Sequence, residues 1–70
     1  MVLEIRLRED FIKLGQALKA ANLCMTGGEA KDVIAEGKVL VNGETELRRG
    51  RKLYDADEVQ FGDDTILIKK

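Results

Sequence analysis

The sequence predicts an α+β fold, two packed helices against a small, mostly antiparallel sheet. Three observations carry that expectation. Leu3, Ile5 and Leu7 alternate with Glu4, Arg6 and Arg8, the period of a strand with one buried face. Two stretches of helical spacing follow, one placing Phe11, Leu14, Leu18 and Ala21 on a single face, the next Ala30, Val33 and Ile34. Short β-rich runs close the chain, with Val59 and Phe61 before Gly62-Asp63-Asp64 and Ile66 and Ile68 after it, the pattern of an antiparallel pair joined by a turn. A chain of 70 residues holds one domain, and a domain of this size buries only about 60% of the surface its unfolded chain exposes. Residues 1–70 are therefore read as a single unit with an economical core.

Each element has local reasons. Asp10 precedes the first apolar stripe as a helix N-cap. Ile12 lies off that stripe, positioned to pack on the first strand. Asn22 ends the helix, because asparagine tolerates the left-handed conformation that a helix terminus needs. After a loop through Cys24 and Met25, Thr26-Gly27-Gly28-Glu29 has the spacing of a capping box that starts the second helix. Gly37 stops it by accepting positive φ. A strand from Lys38 to Val41 runs into Asn42-Gly43, the strongest short hairpin signal. A two-residue turn there sets Val41 opposite Glu44 and Val39 opposite Glu46, an awkward pairing on a buried face. The expectation is that Val39 and Val41 bury while the following segment bends away as an edge. The predicted core is Phe11, Leu14, Leu18, Val33, Ile34, Val39, Val41, Leu53, Val59, Phe61, Ile66 and Ile68.

Composition narrows the chemistry. With one cysteine and no histidine, neither a disulfide framework nor an ordinary zinc site is expected, and no cofactor or metal. Cys24 reads as a small buried hydrophobe, since nothing is present to activate it as a nucleophile. Asp55, Asp57, Glu58, Asp63 and Asp64 lack the spacing of a calcium loop and read as solvated turns. The first residues contain no apolar run of the signal-peptide kind, and no stretch approaches the length of a membrane span, so the expected location is the cytoplasm. Aromatics are scarce: Phe11 and Phe61 fit the core and only Tyr54 is left to stack.

The formal net charge is −1, but it is unevenly spread. Up to Lys52 there are ten Lys or Arg against eight Asp or Glu; from Leu53 onward there are two against five. Most of the excess sits in Arg48-Arg49-Gly50-Arg51-Lys52. Like charges this dense repel unless solvent or a polyanion surrounds them, and Gly50 adds a bend that splays them. RNA is the expected partner. The bland counterpart is a solvated edge whose charge discourages strand-to-strand aggregation. If Thr26 caps the second helix, the free amides of Gly27 and Gly28 lie open to a phosphate, with Lys31 one turn away; alternatively the two glycines only let the loop turn sharply. Lys19 and Lys38 read as ordinary surface lysines, although Lys38 would extend a basic patch.

The run Lys13-Leu14, Ala30, Ile34-Ala35-Glu36-Gly37-Lys38-Val39-Leu40-Val41-Asn42-Gly43 and Asp57-Glu58-Val59 resembles the RNA-binding domain first described in small-subunit ribosomal protein four, the S-four domain. The resemblance is strongest over residues 12–59. Leu14-Gly15-Gln16, Gly27-Gly28-Glu29-Ala30-Lys31 and Arg48 to Leu53 look closer still to small free-standing bacterial proteins of this type. The resemblance implies two helices beside a short sheet, with RNA held against the helix surface and the basic segment. By that resemblance Lys13 stands where arginine is usual, keeping the charge but not the planar fork. Gly15 replaces a common aspartate, Thr26 matches a capping serine, and Gly27 replaces an arginine that often contacts RNA.

The resulting expectation is a small, non-catalytic, monomeric protein that docks on structured RNA, ribosomal RNA or a ribosome precursor, by shape and phosphate position. The candidate RNA-binding residues are Arg48, Arg49, Arg51, Lys52, Lys13, Lys31, Gly27, Gly28, Thr26 and Lys38. The alternative is a protein-binding adaptor that uses the sheet edge and the acidic C-terminal third. An RNA-modifying enzyme would need a catalytic domain for which the chain has no room.

Overall fold

The alternation at the start of the chain builds β1 (Val2–Arg6). The next extended piece is only two residues, β2 (Ile12–Lys13), before α1 (Leu14–Ala20) and α2 (Gly27–Ala35). Five further strands follow: β3 (Val39–Val41), β4 (Glu44–Thr45), β5 (Lys52–Leu53), β6 (Glu58–Phe61) and β7 (Asp64–Lys69). The computed structural model describes residues 1–70.

Five strands form one sheet in the order β1-β7-β6-β3-β4, and β2 pairs with β5 in a separate ribbon. All pairings are antiparallel except β1 with β7, which joins the two ends of the chain in parallel. Because side chains alternate across a strand, Val39, Val41, Val59, Ile66 and Ile68 all point to one face, where they are fully buried with Leu14, Leu18, Ala30 and Ile34 from the helices. The fold is thus α+β, helices on one face of a mostly antiparallel sheet, as expected.

Both helices end by the same device. In α2, Lys38 N–H donates to Val33 C=O and Gly37 N–H to Ile34 C=O, with Gly37 at φ +76°, which is the paired bonding of a Schellman cap. In α1, Leu23 N–H donates to Leu18 C=O and Asn22 N–H to Lys19 C=O, with Asn22 at φ 61°. Thr26 caps α2, its hydroxyl accepting from Glu29 N–H at 3.0 Å.

The start of α1 departs from expectation. Asp10 is not its cap; it pairs with Lys70 at 2.7 Å. Lys13 is the N-cap, extended at φ −78° and ψ 148°, because Ile12 and Lys13 are held in register with Leu53 and Lys52. Pairing beside the fully buried Leu53 outweighs the local helical preference of this segment. Phe11 consequently lies outside the core, half-buried beside Tyr54 with ring centroids 6.0 Å apart. Val33 and Phe61 are packed against the core but only partly buried, whereas Leu7, Ala17 and Cys24 join it. Burial raises the Cys24 thiol pKa, with the nearby Glu29 charge adding to the shift.

Asn42 at φ 52° and Gly43 at φ 85° form a two-residue turn with both central residues left-handed, the turn that matches strand twist. Val41 does face Glu44, and the ladder continues one step further, Glu46 N–H donating to Val39 C=O at 3.0 Å. Glu46 is buried, at 7% exposure. The segment bends away only after placing a carboxylate against the core, which requires partners for it.

Candidate nucleic-acid interface

Glu46 finds those partners inside the basic run. Arg48 Nε and Nη2 donate to its two oxygens at 3.0 and 3.1 Å, Arg51 Nη1 donates at 2.9 Å, and Arg48 N–H adds a bond at 3.1 Å. The Arg48 guanidinium, followed by the Arg51 and backbone hydrogen bonds, holds the Glu46 carboxyl at about 2, against burial that acts to raise it; the Arg48 pKa rises in return. Two of the four cationic side chains are therefore held within the fold, with one of their two charges offset by Glu46.

The remaining part of the loop docks on α1. Leu14 N–H donates to Arg51 C=O at 2.8 Å and Gly15 N–H to Arg49 C=O at 3.0 Å, while Lys13 N–H donates to Gln16 Oε1 at 3.3 Å. These are amides at the start of the helix that no helical carbonyl reaches, so the loop backbone caps the helix and the helix fixes the loop. Gly15 permits the approach: a Cβ added there would lie 2.7 Å from Arg49 Cγ, inside van der Waals contact. Substitution of Gly15 by alanine is expected to push the Arg49 side chain off α1 and weaken polyanion binding about threefold to tenfold, measured by fluorescence anisotropy; unchanged binding would show that the position of Arg49 is immaterial.

Between the first turn of α1, the N-terminus of α2 and this loop opens a polar groove of about 210 Å³, lined by Lys13, Gly15, Gln16, Lys19, Gly27, Arg49 and Gly50. Lys13, Lys19 and Arg49 have no carboxylate partner. Lys52 adjoins them, opposite Lys13 on β5 and 4.8 Å over the Phe11 ring. Of the residues singled out in the sequence, Lys13, Gly27 and Arg49 meet in the groove and Lys52 stands beside it. Thr26 and Gly28 flank Gly27 at the start of α2 without lining the groove, and Lys31 is exposed on α2. Lys38 is engaged by Glu36 at 3.0 Å. Lys19 and Gln16 belong to the groove, and the signal for them was present: they follow Lys13 at three-residue intervals, the spacing of one helix face.

The geometry is a concave polar surface bearing three unpaired cations, with open amides at the start of α2. Such a surface suits phosphate oxygens. No group of His, Cys, Asp or Glu residues is arranged to hold a metal ion, and no helix is long and apolar enough to cross a membrane.

The two-helix layer with its Gly37-strand-Asn42-Gly43 hairpin is the architecture of a known domain class, and residues 5–69 match the S4 domain. The chain belongs to the S4 domain family. It is similar to the probable ribosome maturation protein RlbA of Bacillus subtilis (strain 168), with 47% identity over 57 residues, which cover 81% of this chain and 80% of that protein.

Proposed function

We propose that the protein is a non-catalytic RNA-binding module that docks on structured RNA, with ribosomal RNA or a ribosome precursor as the natural target and the cytoplasm as its place of action. The observation that carries this reading is the gathering of Lys13, Lys19 and Arg49, all free of carboxylate partners, around one polar groove. Membership of the S4 domain family and the likeness to a ribosome maturation protein support it. The groove contains no hydrophobic side chain, which suits a folded backbone read through its phosphates more than bases gripped within it.

The site differs from the basic run as a whole. Arg49 and Lys13 are its centre, Lys19 extends it, Lys52 and the amides of Gly27 and Gly28 complete its margin, and Thr26 and Lys31 support the α2 side. Arg48 and Arg51 hold the loop in place through Glu46, and Lys38 lies in an ion pair of its own.

The adaptor reading draws less support. Of the two sheet edges, β4 is only two residues long and β1 carries the exposed charges of Glu4 and Arg6, and much of the acidic third is occupied internally: Asp57 accepts from Tyr54 N–H and Asn42 Nδ2, and Asp55 from Lys70 N–H.

The test is binding of the purified protein to a ribosomal RNA fragment and to duplex DNA over a range of salt. With three to five phosphates contacted, affinity for RNA is expected to fall roughly 10- to 10³-fold between 50 and 200 mM salt, with RNA preferred over DNA throughout. A flat salt response, or equal binding to both, would overturn the proposal.

A further inference from the structure

A second groove lies on the other side of α1. It encloses about 450 Å³ between the end of β1, the connection to β2 and the exposed side of the helix, a size suited to one small ligand moiety. Its walls differ in character from those of the polar groove. Ile5, Phe11 and Ile12, all half-buried, contribute apolar surface, while Arg8 and Lys19, exposed and without carboxylate partners, stand on its margin with Glu9. Arg6 also lines it, only loosely drawn to Glu4 at 4.0 Å.

Gln16 and Lys19 line both grooves. The two therefore form one continuous surface across α1, phosphate-type chemistry on one side and mixed apolar and cationic chemistry on the other. From this we infer that the second groove takes a single unpaired nucleotide of the same RNA, a bulged or overhanging residue next to the helix held in the first. An unpaired nucleotide has an apolar face, an anionic phosphate and polar base edges. Ile5, Phe11 and Ile12 cover the first, Arg8 and Lys19 attract the second, and the Glu9 carboxylate accepts from amino groups on the third. The surplus of cations over the one free carboxylate at the margin favours an anionic occupant over an acidic or neutral peptide.

This inference rests on the RNA-binding reading above, and the two fail differently. The probes are an RNA hairpin of about twelve base pairs and the same hairpin with a short single-stranded 3′ extension, compared by fluorescence anisotropy at fixed salt. The extension is expected to tighten binding of the unaltered protein about tenfold, which is within the range for one stacked base. Two variants remove that gain. Ala20→Trp fills the groove from an exposed helix position without altering charge, and Arg8→Glu reverses the charge at its margin.

With Ala20→Trp, affinity for the bare hairpin holds and only the gain from the extension disappears. Arg49→Ala gives the opposite split, weakening both probes while keeping the gain. If the bare hairpin binds and the extension adds nothing, or if Ala20→Trp keeps the full gain in a folded protein, the nucleotide site is refuted and RNA binding stands. If neither hairpin binds the unaltered protein, both readings fall together.

Discussion

Replacing Lys13, Lys19 and Arg49 together by alanine will lower affinity for a ribosomal RNA fragment about 100-fold at moderate salt and reduce the slope of log affinity against log salt by about 3. All three residues are exposed, none has a carboxylate partner, and all line the same groove. Their charges are therefore available to release counterions from RNA, and every phosphate that the protein no longer neutralises takes about 0.9 off the slope. The fold should survive, since the backbone bonds between Arg49 C=O and Gly15 N–H and between Arg51 C=O and Leu14 N–H do not depend on those side chains. Circular dichroism and urea midpoints of the variant should match the unaltered protein. Arg48→Ala is the matched control. It removes one charge from the loop that carries Arg49, but one already spent on Glu46, so RNA affinity should change within about threefold. If Arg48→Ala costs as much as the triple variant, the groove is not the site and the whole basic run acts together.

Glu46→Gln should move stability and affinity in opposite directions. The buried carboxylate ties Arg48 and Arg51 down; as an amide it accepts fewer and weaker bonds and leaves both guanidinium groups free. RNA binding is then expected to tighten about threefold to tenfold, as the local charge rises by one and both guanidinium groups become free to reach phosphates. Stability should fall by about 2 kcal/mol, a discounted conversion of the carboxyl pKa depression because Arg48 is well exposed to water. The pH dependence gives an independent check. A carboxyl lowered from the usual 4.5 to about 2 in the fold contributes stability that is complete above pH 4.5 and is lost as pH falls toward 2. Chemical denaturation between pH 5 and 2 should show that loss in the unaltered protein and a shallower one in the variant. Equal acid profiles would mean that Glu46 is not the group responsible, and weaker RNA binding by the variant would mean that loop order matters more than released charge.

How much of this was legible in the sequence depends on the range over which each feature is decided. Thr26, Gly37 and Asn42-Gly43 declare themselves, because a hydroxyl cap, a positive-φ helix stop and a two-residue turn are settled by the residue and its near neighbours. The one-sided strands were equally plain from their alternation. The start of α1 was hidden, because Ile12 and Lys13 take their conformation from a partner strand some forty positions away, and no local signal announces β5. The aromatic count misled for the same reason: Phe11 fits an apolar stripe on paper but stands outside the core beside Tyr54 and Lys52.

The candidate site divides along similar lines. That residues 48–52 carry dense positive charge is visible at once. That Glu46 neutralises part of it follows only when the tight turn is allowed to set Glu46 opposite Val39, a pairing that looked unfavourable until its cationic partners were in view. Lys19 looks like an ordinary surface lysine in the sequence because its company, the loop around Arg49 and Gly50, lies thirty residues on in the chain.

The parallel pairing of β1 with β7 bears on how the protein comes into being on the ribosome. β1 is synthesised first, yet its ladder runs from Val2 beside Thr65 to Arg6 beside Lys69, so it finds its partner last. The two helices and the hairpin of β3 and β4 draw on contacts that are close in sequence and able to form early, whereas closing the sheet needs nearly the full length of chain, the kind of long-range step that slows folding. The polar groove requires only that the loop carrying Arg49 reach Gly15, whereas the apolar groove bounded by Arg8 and Phe11 takes shape only when the last strand draws the first one in.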